Sequence, residues 1–551
     1  MSDQPAVGVL LCSCTPQMRQ RLDLDDISSF ASSLEPVAHL ETHPAWCLAP
    51  GLARLKEIIA EKEIDRLVVA GCSYRTHRRI FEAALEEAGM NPYLLDIVNL
   101  KDQCAAVHPE GATDRAKDQI EMAIARSVTL LPLEEITVPA EQKVLVVGGG
   151  LSGLIAADTL AAAGCEVVIV EQQEALGGHV AHQRPWGISG DALTNLVAGL
   201  EANPSTEKLV SSRLKSVTGE PGSFDATIET PDGEKVVRVG AIILATGSAA
   251  IPAEGAYGHD GETVKTQEEF EQILYGDKSG KEPSSIVMIQ CVGSRNEERP
   301  YCSRICCFDA VRNATAARKK WPEVEVAILF RDLEMGCLTE RDVKQALDAG
   351  VAFYRFDPNA PPEIENGKVT MVDTMTEGEV AIAYELIVLS VGEIPGEGTA
   401  EIAEILDINT DAFGFVPEPA VRLRPSEFAG RGIYVTGSVH WPVTPEEATY
   451  QAFEIASRTA MELKKGSLST RPIVASVDES KCIGCQLCES MCAWGAIRVS
   501  DPAEGSKVAR VREILCKGCG TCVASCPALA ITAAYYSDEQ ILPSIKAAVT
   551  S

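Results

Sequence analysis

Lys143-Val-Leu-Val-Val147 runs directly into Gly148-Gly149-Gly150-Leu151-Ser152-Gly153 and a helical stretch that continues through Ala163. Glu166-Val-Val-Ile-Val170 follows and ends at Glu171. Strand, tight turn, helix, strand and acid therefore stand in register. The first glycine makes the turn, Gly150 lets a pyrophosphate approach the backbone, and Gly153 lets helix and strand pack closely. The helix N-terminus faces the phosphates, and Glu171 is placed to bind ribose hydroxyls. This stretch predicts a dinucleotide-binding α/β unit.

Three further segments favour FAD over NAD. Glu171 is followed by Ala175-Leu-Gly177-Gly178, and the strand Ala241–Ala245 leads into Thr246-Gly247. Gly432-Ile-Tyr-Val-Thr-Gly437-Ser438, ahead of a helix at Glu446–Leu463, offers a strand and a helix N-terminus suited to a flavin ring. These features resemble thioredoxin-reductase-type FAD enzymes across residues 143–178, 240–248 and 432–463. Such enzymes carry a second βαβ unit for NAD(P)H. Here strands at Ser285–Ile289 and Val324–Phe330 flank a helix at Phe308–Lys319, but no Gly-x-Gly-x-x-Gly lies between them. The loop instead holds Cys291, Cys302, Cys306 and Cys307. Four thiolates on one loop need a compensating cation and can hold a cubane.

The last segment repeats itself. Cys482-x2-Cys485-x2-Cys488-x3-Cys492 recurs as Cys516-x2-Cys519-x2-Cys522-x3-Cys526-Pro527. Three thiolates at this spacing wrap one face of a cluster, and the fourth crosses to the other cluster. The expected sets are Cys482, Cys485, Cys488 and Cys526 for one cubane, and Cys516, Cys519, Cys522 and Cys492 for the other. Zinc sites also use Cys-x2-Cys pairs, but do not account for four cysteines per half in this order.

Length and composition set the frame. A chain of 551 residues exceeds a single core. Three segments are expected: 1–138 (an α/β domain), 139–466 (doubly wound Rossmann units) and 473–551 (an α+β two-[4Fe-4S] ferredoxin domain), with 464–472 as a polar linker. Nineteen cysteines in an ordinary globular composition, with 46% hydrophobic and 23% charged residues, point to metal ligation rather than a disulfide framework. A net charge of −30 argues against nucleic acid as a partner. No signal peptide and no transmembrane segment are apparent, so the expected location is cytoplasmic.

Cys291, Cys302-Ser-Arg-Ile-Cys306-Cys307, the dinucleotide fingerprint and the C-terminal cysteine runs together resemble the A-subunits (HdrA) of heterodisulfide reductase and their relatives. The N-terminal segment contributes through Cys12-Ser-Cys14, Cys47, Gly71-Cys72-Ser73 and Asn91-Pro-Tyr…Gln103-Cys104. The resemblance implies a further [4Fe-4S] cluster held by four of Cys12, Cys14, Cys47, Cys72 and Cys104. It also implies FAD and an oxidoreductase component devoted to electron transfer. Its implied partners are HdrB- and HdrC-like subunits, a hydrogenase- or dehydrogenase-linked adaptor, class II benzoyl-CoA reductase components, or ferredoxin. A homodimer within a larger complex fits the same picture.

Two departures stand out. Relatives often insert a ferredoxin soon after the flavin Gly-Gly pair, whereas His179–Leu200 carries no cysteine. Flavin-bifurcating members place a lysine near the flavin one turn past the Cys-Cys pair, and Arg312 occupies that position. Bifurcation and simple relay both stay open at this point. From the residues alone, an NAD(P)H-dependent FAD oxidoreductase with a ferredoxin outlet is the alternative, and the missing second glycine fingerprint counts against it. Cys165 reads as a small core residue, and Cys337 is unassigned.

Overall fold

The computed structural model describes residues 5–108, 110–181, 190–276, 282–418, 432–500 and 507–550. Met1–Gln4 of the N-terminus and 182–189 of the segment read as lacking an insert lie outside these. Two compact units divide the chain, one made of Met1–Thr137 with Ser469–Ser551 and the other of Val138–Leu468.

In the first unit, Val7–Cys12 is buried along its whole length because it runs inside a parallel sheet covered on both faces. The order is Val37–His43, Val7–Cys12, Arg66–Ala70, Leu95–Val98, all parallel. Successive side chains alternate between two cores. Val9, Leu11 and Val68 pack with Met18 and Ile120, while Leu10, Leu67 and Val69 pack with Trp46 and Phe81. The C-terminal segment joins this unit through two antiparallel pairs of its own, Ala475–Val477 with Ile531–Ala533 and Ile497–Ser500 with Val508–Val511. Its last helix, Asp538–Thr550, packs on Ala112–Ser127. A ferredoxin-sized module has little apolar core, and the larger neighbour supplies burial that it lacks.

The second unit holds two similar halves. The first has a parallel sheet in the order Ile433–Val435, Ala241–Leu244, Lys143–Val147, Glu166–Val170, Thr206–Leu209. The other repeats the plan with Val264–Thr266, Leu386–Val391, Ser285–Val292, Glu325–Phe330, Val351–Arg355. Each half adds a three-stranded antiparallel sheet, and the ribbon Ser248–Ala250 with Glu393–Pro395 joins the halves. This is the doubly wound α/β architecture expected.

Three boundaries differ from expectation, each for a local reason. The expected strand Ser285–Ile289 continues to Val292, with a register break after Ile289 where the cysteine loop begins. The following helix starts at Ile305 rather than Phe308. The polar segment 464–472, read as a linker, contains a short strand, Ser467–Thr470. Among the described residues, no helix is long and apolar enough to cross a membrane.

Candidate functional site

Ligand sites in open parallel sheets lie beyond the carboxyl ends of the strands. Cys12 ends the strand Val7–Cys12 and Cys14 follows it; Cys47 and Cys72 follow the next two strands. The structure brings these four thiols together: Cys12 feels Cys14, Cys72 and Cys47, and Cys72 feels Cys14 and Cys47. Gly71 makes room, since a Cβ there would lie 2.8 Å from the Cys12 sulfur. Cys104 is separate. It is fully buried in the core beside Met18 and Ile120, with Arg115 and Asp118 as charged neighbours. Of the five N-terminal candidates, Cys12, Cys14, Cys47 and Cys72 form the group.

The C-terminal cysteines sort by cavity as the crossed pattern requires. Cys482, Cys485, Cys488 and Cys526 line one small cavity. Cys492, Cys516, Cys519 and Cys522 line another. Backbone N–H groups donate to the sulfurs at equivalent positions of the two halves. Ala496 serves Cys492 and Ala530 serves Cys526, while Ala509 serves Cys482 (all 3.3 Å) and Ala475 serves Cys516 (3.4 Å). Gln486 and Gly520 share a left-handed backbone at φ 65° and 77°. The duplication is thus structural, down to the donors that tune a cluster.

In the second unit, the strand Ser285–Val292 holds the central place that Lys143–Val147 holds in the first half, so the cysteine loop stands where the first half has its glycine loop. Cys291 interacts with Cys307 and Cys302, and Cys306 with all three others of the set. Cys306 and Cys307 sit in the first turn of helix Ile305–Lys320; their mutual interaction and burial push the Cys306 thiol up, while Cys306 brings Cys307 down to about 7. Cys291, Arg295 and Arg304 hold φ of 62°, 56° and 63°, a strained backbone for side-chain-bearing residues. Arg295 lies beside Cys291 and pairs with Asp332 at 2.9 Å.

The donor sets fit iron–sulfur clusters on their chemistry. Burial pushes the Cys12 thiol up to about 12 and Cys72, Cys291 and Cys522 up to about 11. Such groups stay protonated at neutral pH unless a cationic centre ionises them. Among the described residues no three His, Cys, Asp or Glu side chains converge on a single-ion position.

The glycine loop fits a dinucleotide. Gly148 takes φ 110°, and a Cβ on Gly153 would lie 1.9 Å from the Gly148 carbonyl oxygen. At Gly150 an added Cβ would meet nothing nearer than Gly178 at 4.0 Å, an open approach to the backbone. Gly150 also bridges Gly177. Glu171 accepts from Gly149 N at 2.7 Å and Gln173 N at 2.8 Å, fixing the carboxylate at the strand end. Gly437 (φ 75°) packs on Ser152 at the N-terminus of the fingerprint helix, and Ser438 accepts from Val443 N at 3.5 Å. The Thr246 hydroxyl meets Thr399 at 3.1 Å, and Gly247 lies beside it with φ 72°.

Arg312 stacks its guanidinium 4.9 Å from the Phe308 ring centre and lies among Glu271, Tyr275 and Asp309. Cys165 is a core residue. Cys337 faces Arg304 and Cys307. Arg295 was not singled out in the sequence; the signal was its place between Cys291 and Cys302.

Paired Rossmann sheets, a glycine cradle and grouped thiols define a flavin- and iron–sulfur-dependent oxidoreductase. Residues 146–212 match the NAD(P)-binding Rossmann-like domain, and residues 481–530 match the 4Fe-4S dicluster domain. The first iron–sulfur A-subunit of the CoB–CoM heterodisulfide reductase of Methanopyrus kandleri is 30% identical, over 99% of this chain and 98% of its own. The A-subunit of the H2/formate:CoB-CoM heterodisulfide,ferredoxin reductase of Methanococcus maripaludis is 30% identical over 98% of each. A thioredoxin reductase of T. acidophilum overlays 59% of this chain and 99% of its own, with TM-score 0.41 and 19% identity. The chain belongs to the family of heterodisulfide reductase A-subunits. The Methanopyrus alignment runs over 654 positions against 551 residues, so at least 103 positions have no counterpart in this shorter form.

Proposed function

We propose that this chain is the FAD-bearing electron-transfer component of a multi-subunit, heterodisulfide-reductase-like complex in the cytoplasm, with four [4Fe-4S] clusters. Two are held by the crossed C-terminal sets, one by Cys291, Cys302, Cys306 and Cys307, and one by Cys12, Cys14, Cys47 and Cys72. Its partners are other redox subunits and ferredoxin, as the names of the relatives suggest for those proteins.

The observation that carries this reading is the gathering of four thiols at the strand end equivalent to the glycine loop. Bound FAD supplies exchange between two-electron and one-electron chemistry. Gly150 and Gly178 would admit its pyrophosphate, with Gly148 turning the loop and Gly153 letting the helix pack against it; Glu171 would hold the ribose, and Thr246, Gly247, Gly437 and Ser438 would help hold the flavin. Arg295, tied to Asp332, sets a fixed cation beside Cys291. Arg312 sets a second guanidinium on the helix beyond Cys307, against Phe308 and among Glu271, Tyr275 and Asp309.

Anaerobic rapid mixing tests the reading. Reduced ferredoxin is expected to bleach the flavin of the full-length protein, and NADH and NADPH to leave it oxidised. Fast bleaching by either nicotinamide would favour a direct NAD(P)H oxidoreductase instead.

A further inference from the structure

Glu393 lies on the ribbon that joins the two halves of the second unit. Its carboxylate accepts from the Ser248 hydroxyl at 2.7 Å, and Ser248 directly follows the Thr246-Gly247 turn on the nucleotide side. Its backbone is clamped from the cysteine loop. The Tyr301 hydroxyl donates to the Glu393 carbonyl at 2.9 Å, and the Glu393 N–H donates to the Ser303 hydroxyl at 2.8 Å. One acidic residue is therefore tied to both the flavin-side turn and the loop that carries Cys302.

An exposed imidazole stands on the other side. His179, next to Gly178, is exposed, and its Nε2 meets the Ser248 carbonyl at 2.9 Å. The titratable groups facing Glu393 are His179 from the turn Gly178–Ala181, Tyr301 from the cysteine loop and Asp309 from helix Ile305–Lys320. No lysine or arginine stands among them. The carboxyl is accordingly balanced between charged and neutral, and burial pushes it up to about 7. A group poised in this way responds to a nearby change of charge.

We propose that Glu393 is a charge-compensating proton carrier, taking up one proton from solvent when electrons arrive in the second unit and returning it when they leave. The balance is simple: electrons come from the redox partner, the carboxylate becomes a carboxylic acid, and oxidation releases the same proton. No bond to flavin or cluster is formed. Glu393 acts through its charge and is a positioning residue rather than a catalytic one. This inference rests on the flavin and the loop cluster being present.

The test is redox-difference infrared spectroscopy on the intact protein, with flavin and iron measured on the same sample. Reduction near pH 7 should produce a protonated-carboxyl band that is absent in Glu393→Gln, a variant that can keep a hydrogen bond with Ser248. The wild-type flavin midpoint should change slope with pH near neutrality, and that change should vanish in the variant. A band that persists in Glu393→Gln, or is missing from wild type holding both cofactors, overturns the proposal. Should Glu393→Gln fail to fold, Ser248→Ala removes the hydrogen bond to the carboxylate and should shift both the band and the pH of the slope change; no shift overturns the proposal. Wild type lacking flavin or the loop cluster would instead overturn the functional reading beneath it.

Discussion

The Arg126 guanidinium lies 4.4 Å from the ring centre of Tyr535 and donates to the Tyr535 carbonyl at 2.8 Å. Arg126 also pairs with Asp96 at 2.9 Å, and the Tyr535 hydroxyl donates to the Leu95 carbonyl. A residue just past the last cysteine run is thus bonded into the N-terminal sheet. Nothing in the spacing of the cysteines announces this, because each partner lies hundreds of residues away.

Tyr535→Phe should therefore loosen the cysteine-rich module from the sheet. It leaves the Leu95 carbonyl without its donor in a buried place, a loss of about 1–3 kcal/mol. Denaturant titration followed by cluster absorbance should show earlier bleaching of the C-terminal clusters, with flavin release unchanged.

The crossed ligand sets make a pairing prediction. Cys492→Ser and Cys519→Ser lie in opposite halves of the repeat but line one cavity, so both should remove the same cluster. Electron paramagnetic resonance should give the two variants matching spectra, different from that of Cys526→Ser. Matching spectra for Cys492→Ser and Cys485→Ser would point to uncrossed clusters.

In the N-terminal unit, Cys47→Ser should lower the iron content by one cluster. Cys104→Ala should leave iron unchanged and cost about 1 kcal/mol in packing. Iron analysis beside thermal melts separates the two outcomes.

The dicluster cysteine runs, the glycine fingerprint and the parallel architecture were legible in the sequence because local spacing dictates each one. Strands such as Arg66–Ala70, Lys143–Val147 and Glu166–Val170 stand where their apolar runs put them. Choosing among the five N-terminal cysteines was not possible from spacing, since the strand ends meet only once the sheet has formed. Cys104 follows a strand like the others, yet its side chain points into the core. The ties of Glu393 to Ser248 and Tyr301 were hidden for the same reason: they join segments that only the fold makes neighbours.

Gly153→Ala places a methyl group where the Gly148 carbonyl oxygen stands, so helix and loop must part. A cost of about 3 kcal/mol or more is expected for such overpacking. The purified variant should lack flavin while keeping the C-terminal cluster signals, as read from the visible spectrum and iron content.

Glu271 gives a pH prediction. Burial pushes its carboxyl up to about 7, with Asn313 donating to it at 3.0 Å. The folded state then binds a proton more readily than the unfolded chain, so this group's stabilising contribution is present below the ordinary carboxyl range and declines as pH rises towards 7. Glu271→Gln should remove that decline, a gain at pH 8 on the order of 3 kcal/mol with little change at pH 4. Chemical denaturation at the two pH values checks it.

The most direct test of the central claim is an iron-to-flavin count with Mössbauer spectroscopy on anaerobically purified full-length protein, wild type beside Cys302→Ser/Cys306→Ser. Four cubanes predict about sixteen irons per FAD in wild type and about twelve in the double variant, with flavin retained. An unchanged count and spectrum in the variant would contradict a cluster on the loop between Cys291 and Cys307.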